Sequence, residues 1–184
     1  MIPTRLNILI AEDSTDDVEL IEAELRRAGF DPTWRRVDTE ADFCAELQKK
    51  PDLVMADYSM PQFDGLRAAQ ITLESGLDIP FILISGTVGE EVAVEAMKRG
   101  AADYFLKDRL ARLGQSVSQA LVQKQLRAER RRAEEANRNQ LQELRRWQEA
   151  MLDREERIME LKHEVNELLA ELKQPHRYAN LTDG

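Results

Sequence analysis

A chain of 184 residues with 26 basic and 35 acidic side chains, net charge −9, has room for one ordinary domain and an extension. Residues 1–114 hold 13 Lys and Arg against 22 Asp and Glu, while the rest hold 13 of each, so the excess acid is N-terminal. That argues against nucleic acid as a direct partner of the N-terminal part, since phosphate contacts need clustered cations. The one cysteine, Cys44, rules out an intrachain disulfide, and no run approaches the ~20 apolar residues of a membrane span.

Leu6 to Ala11 is short, apolar and unbroken, as a buried parallel strand is. Ser14 can cap a helix whose first turn holds Asp16 and Asp17, both favourable against the helix dipole. Val18, Ile21, Leu25 and Ala28 follow at helical spacing, and Gly29 stops the helix. Thr33 to Asp38 predicts a more polar strand near the sheet edge. Thr39 caps the next helix, which carries Phe43 and Leu47. Pro51 and Asp52 lead into Leu53-Val54-Met55-Ala56, which ends at Asp57. Gly65 to Ser75 predicts a short helix closed by Gly76, Ile79 to Ile84 a strand, Val88 to Arg99 a helix closed by Gly100, and Ala102 to Leu106 a fifth strand. Strand and helix alternate five times, which predicts an α/β fold with a parallel sheet and helices on both faces.

Beyond Gly114 the composition changes. Gln115 to Gln174 contains no glycine or proline, and sixty residues of helix would span roughly 90 Å. A seven-residue repeat places Leu144, Met151, Ile158, Val165 and Leu172 at one seam position and Trp147, Arg154, Leu161 and Leu168 at the other. Such a repeat predicts a coiled coil over about four heptads. Asn137, Gln140 and Arg130 weaken the same seam further back, and Pro175 ends it. The expected organisation is a domain over 1–114, a long helix over 115–174 and a flexible tail over 175–184.

Four of the predicted strands deliver a polar group just past their C-terminal ends: Glu12 and Asp13, Asp57, Ser85 and Lys107. In open α/β sheets that edge is where sites are built. Asp57 also opens the run Asp57-Tyr58-Ser59-Met60-Pro61-Gln62-Phe63-Asp64-Gly65, an Asp-x-x-Met-Pro-x-x-Asp-Gly pattern. Three carboxylates, a hydroxyl and an ammonium suit a divalent cation and phosphoryl transfer. Over about the first 120 residues the chain resembles the receiver domains of two-component response regulators.

The resemblance implies a flavodoxin-like fold with strand order 2-1-3-4-5. It implies that Asp57 is the phosphoacceptor, that Mg²⁺ is held by Asp13, Asp57 and the backbone carbonyl of Ser59, and that Glu12 acts largely through water. It implies that Lys107 and Ser85 meet the phosphoryl oxygens, that Tyr104 is a switch aromatic, and that Ser59 and Thr87 tune phosphoryl lifetime. The partner it implies is a sensor histidine kinase or phosphotransfer protein, acting on a cytoplasmic protein that is not itself an enzyme. The chain departs from the family where Asp108 follows Lys107 in place of proline, so residues 108–114 are expected to form a short helical turn instead.

Other motifs carry less. His163-Glu164 resembles the start of a kinase phosphohistidine motif but lacks the following proline, and His163 falls opposite the seam. Arg130-Arg131-Arg132 before a heptad repeat resembles a basic zipper, but Glu129, Glu134 and Glu135 neutralise it. The expected output is therefore protein contact and homodimerisation through the helix. A nucleic-acid-binding regulator using that helix, and a structural dimer with a vestigial site, are the alternatives.

Overall fold

Five runs of mainly apolar residues become five parallel strands. The computed structural model describes residues 3–178 apart from Val88, Leu172 and His176, and only the backbone of Glu90. The strands are β1 (Thr4–Ala11), β2 (Phe30–Val37), β3 (Leu53–Asp57), β4 (Phe81–Ser85) and β5 (Asp103–Leu106), and they lie side by side in the order β2-β1-β3-β4-β5. The helices are α1 (Thr15–Arg27), α2 (Glu40–Leu47), α3 (Gly65–Glu74), α4 (Glu90–Lys98) and α5 (Leu113–Glu171). The flavodoxin-like α/β fold and the long helix expected from the sequence are both present.

Side chains alternate across the sheet, so each strand feeds two cores. Leu9, Ala11, Val54, Ala56 and Leu83 pack on one face with Phe43 and Leu47 of α2, Ala68 and Ala69 of α3, and Ala96 of α4. Ile8, Ile10, Met55, Ile82 and Ile84 pack on the other with Val18, Ile21 and Leu25 of α1 and with Leu113 and Val117 of α5. The central strands β3 and β4 are buried at every position, as sheets covered on both faces require.

The polar strand β2 lies at the sheet edge. It begins earlier than its apolar pattern suggests, pairing from Thr4–Phe30 to Ala11–Val37, and as an edge strand it tolerates Pro32. Ser14, Thr39 and Asp64 cap α1, α2 and α3, accepting the N–H groups of Asp17, Asp42 and Arg67. Gly29 and Gly100 follow α1 and α4 with φ of +91° and +86°, where a Cβ would be strained. Residues Leu110–Arg112 form a 3-10 turn ahead of α5.

Gly65 is needed for a different reason. A Cβ built there would lie 2.4 Å from the Asp57 carbonyl oxygen and 2.4 Å from Leu83 Cδ1. Helix α3 thus approaches the end of β3 as closely as a backbone can. Gly65→Ala is expected to destabilise the chain by ~1–3 kcal/mol, the usual cost of overpacking. A lowered urea midpoint with an unchanged slope would show it, and an unchanged midpoint would refute the close approach.

The chain divides into two units, Met1–Ala128 and Glu129–Gly184. The first unit reaches past Gly114 because Ser116, Val117 and Ala120 are buried against it. In the second unit, the seam residues Leu144, Trp147, Met151, Ile158, Leu161, Val165 and Leu168 are all exposed, and Leu172 lies outside the described residues. The helix closes with Lys173 in the left-handed region (φ 55°), the Lys173 N–H on the Ala170 carbonyl and the Gln174 N–H on the Leu169 carbonyl. These two bonds are a Schellman closure. The chain then returns to the helix: buried Asn166 accepts the N–H groups of Arg177 and Tyr178 and donates to the Tyr178 carbonyl. The remainder of the expected tail, residues 179–184, lies outside the described residues.

Candidate functional site

Parallel pairing brings the strand ends together. Ala11 is level with Ala56, Asp57 with Ile84, and Ser85 with Leu106, so Glu12, Asp57, Ser85 and Lys107 meet at one edge. Backbone bonds hold the edge: the Tyr58 N–H on the Ile84 carbonyl at 2.7 Å and the Lys107 N–H on the Ser85 carbonyl at 2.9 Å. Glu12 and Asp57 are 1% and 7% exposed, and burying two carboxylates so fully needs compensation.

Part of it comes from Lys107. Its Nζ lies 2.9 Å from Glu12 Oε2 and 3.2 Å from Asp57 Oδ2. Burial pushes the Asp57 carboxyl above its ordinary range, with Lys107 and the Tyr58 and Ser59 N–H groups pulling the other way. Burial likewise raises Glu12, against Lys107 and the Ser14 N–H, and the Asp57 charge adds to the rise. Burial draws the Lys107 ammonium down, but its bond to Asp17, its ion pair with Glu12 and the Asp57 charge leave it above the ordinary lysine range.

The compensation is incomplete. Glu12 Oε2 and Asp57 Oδ1 are buried without a hydrogen-bond partner. Glu12, Asp13 and Asp57 each present an oxygen within 4.8 Å of the others. An all-oxygen donor set with orphaned carboxylate oxygens fits a hard divalent cation such as Mg²⁺.

The other expected site residues are placed as follows. Asp13 and Ser59 are exposed at the mouth. The buried Ser85 hydroxyl donates to the Thr87 carbonyl at 3.0 Å and accepts the Thr87 N–H, so it turns into its own loop and away from the carboxylates. The Tyr104 hydroxyl donates to the same Thr87 carbonyl at 3.0 Å. Ser85, Thr87 and Tyr104 therefore form one connected group at the β4–β5 end of the site.

Two further residues that no motif marks take part in the site. Arg36, at the end of β2, donates to the carbonyls of Glu12 and Asp13 at 3.0 and 3.2 Å and so fixes the acidic loop. Asp17 bonds Lys107. Sequence alone suggests for it only a helix-dipole role, and its place one turn after Asp13 is the signal for more.

The family model described as the response regulator receiver domain matches residues 8–118. The chain belongs to this family. It is similar to the transcriptional regulatory protein RprY of Bacteroides fragilis, 34% identical over 103 residues, covering 56% of this chain and 43% of that protein. It is similar to the alkaline phosphatase synthesis transcriptional regulatory protein PhoP of Bacillus subtilis, 30% identical over 100 residues, covering 54% of this chain and 41% of that protein. The receiver thus spans less than half the length of these relatives. Among solved structures, a response regulator receiver domain protein from Clostridium thermocellum superposes with a TM-score of 0.57 at 22% identity, covering 66% of this chain and 98% of that one. The beryllofluoride-activated NtrC4 receiver domain dimer superposes with a TM-score of 0.57 at 22% identity, covering 64% and 98%. At that identity the structures share the receiver fold.

Among the described residues, no helix is long and apolar enough to cross a membrane.

Proposed function

We propose that this receiver accepts a phosphoryl group on Asp57 from a sensor histidine kinase or phosphotransfer protein, and signals through protein contacts and a dimerising helix. The observation that carries the reading is the buried Glu12–Asp57 pair with two orphaned oxygens beside the Lys107 ammonium. An Asp57 carboxylate oxygen forms a bond to phosphorus while the phosphorus–nitrogen bond to the donor breaks, and the donor imidazole leaves with the electron pair. Asp13, Asp57 and the Ser59 carbonyl would hold Mg²⁺, with Glu12 acting through water. Bound there, Mg²⁺ supplies positive charge to the transferring group. Lys107 pairs with a product oxygen as a compact point charge. Ser85 would reach a second oxygen by leaving the Thr87 carbonyl, which Tyr104 also shares, so the loop senses occupancy of Asp57. Ser59 and Thr87, at the rim, would set how readily water reaches the acyl phosphate.

The proposed organisation is a receiver over 1–114, a helix over 115–174 that pairs through its seam, and a tail over 175–184. The reading is tested by incubating the full chain with a small phosphodonor. One phosphoryl mass should appear with Mg²⁺ and vanish in excess chelator; labelling that survives the chelator would overturn it. Lys107→Ala should bind Mg²⁺ at least as tightly as wild type, since a competing cation is gone. Its beryllofluoride adduct should nevertheless fail to shift the Thr87 and Tyr104 amide resonances. A full shift in the variant would remove Lys107 from the response.

A further inference from the structure

Lys107 has one partner more than phosphoryl chemistry at Asp57 gives it. A lysine ammonium carries three N–H donors. Three carboxylates stand in range: Asp17 Oδ2 at 2.5 Å, Glu12 Oε2 at 2.9 Å and Asp57 Oδ2 at 3.2 Å. The contact to Asp17 is the shortest and has hydrogen-bond alignment. Glu12 Oε2 remains an orphan although the same ammonium lies beside it. The lysine is therefore drawn toward α1.

Asp17 is built to hold it there. The Ser14 hydroxyl accepts the Asp17 N–H at 3.3 Å and sets the first turn of α1, while the Ser14 N–H donates to Glu12 Oε1 at 3.1 Å. The start of the helix and the acidic loop are thus one unit. The Asp17 side chain is 31% exposed, against 1% for Glu12 and 8% for Asp57. Ninety residues separate Asp17 from Lys107, so the contact exists only in the folded chain.

We propose that Asp17 is a positioning residue that holds the Lys107 ammonium on the α1 side of the resting site and sets how readily the receiver enters its activated state. The inference rests on the reading of Asp57 as phosphoacceptor. Modification of Asp57 replaces one carboxylate charge with a phosphoryl group bearing up to two, a stronger partner for the same ammonium. Asp17 competes with that group for Lys107. Two partners and one shared donor make a two-state balance, and weakening one partner shifts it to the other.

Asp17→Asn keeps the size of the side chain and removes its charge. At saturating Mg²⁺, fluorine NMR titration should show half-saturation of the full chain with beryllofluoride at about fivefold lower concentration, the lower end of couplings between sites. Asp17→Glu should restore the wild-type value. In a Lys107→Met background, Asp17→Asn should change nothing, because the competed donor is absent. An equal shift with and without Lys107 would overturn the proposal, since the effect would then come from general charge or from the helix start. An unchanged Asp17→Asn titration with normal wild-type binding overturns it as well, leaving Asp57 as acceptor. Wild-type chain that takes neither beryllofluoride nor a phosphoryl group defeats the reading of Asp57 and this inference with it.

Discussion

Asp57→Asn is expected to take up no phosphoryl group under conditions that label the wild type, and to be the more stable protein in chelator at neutral pH. The first result follows from chemistry: an amide lacks the anionic oxygen that attacks phosphorus, while the size of the side chain is kept. Intact-mass measurement reads it as loss of the entire phosphoryl adduct. The second follows from burial. Asp57 and Glu12 are both held above the ordinary carboxylate range, chiefly by desolvation. A carboxyl raised in the folded state lends stability below its unfolded value and loses it as pH rises through its folded value. Ionising the buried pair therefore costs stability as pH rises, and Asn removes one of the two acids. The gain should read as a raised Tm in chelator, and should shrink as pH falls toward the carboxylate range. Labelling that persists in the variant, or a Tm that drops at neutral pH, would show that Asp57 is not the acceptor or that the pocket is not charge-crowded.

Removal of residues 141–184 is expected to convert a dimer into a monomer. In the second unit the seam side chains from Leu144 to Leu168 are 36% to 65% exposed. Burying a large apolar side chain contributes ~1.5–3 kcal/mol, so a second copy offers several such gains. Among the described residues, the returning segment does not take that place. Tyr178 lies over Lys162, 5.7 Å from its Nζ, and bonds Asn166, on the flank of the helix beside the seam. Leu161, Val165 and Leu168 stay exposed. Arg154 interrupts the seam and should weaken the pair while helping to set register. Leu161→Asp with Leu168→Asp should act as the truncation does. Light scattering at tens of micromolar would contradict the seam if it reported a full-length monomer, or a dimer that survives truncation.

Much of this molecule is written locally. Apolar runs of strand length, caps such as Ser14 and Thr39, and helix-stopping glycines are short-range signals, and they determine the five βα units. A parallel sheet with those units has its strand C-termini on one edge, so Glu12, Asp13, Asp57, Ser85 and Lys107 could be grouped from their positions after apolar runs. The heptad repeat is likewise a local periodicity, and it determines which apolar side chains share one face of the helix. The tertiary structure decided the rest. That β2 extends back to Phe30 depends on pairing with Thr4 across the sheet, since backbone bonds do not require apolar side chains. That Gly65 admits no Cβ depends on how closely α3 meets the end of β3. That Ser85 faces Thr87, that Arg36 grips the acidic loop, and that Lys107 reaches Asp17 as well as Glu12 and Asp57 are outcomes of distance in space. Pattern along a chain specifies which groups arrive at an edge; which donor meets which oxygen is settled by ångström-scale separations that no spacing in sequence encodes.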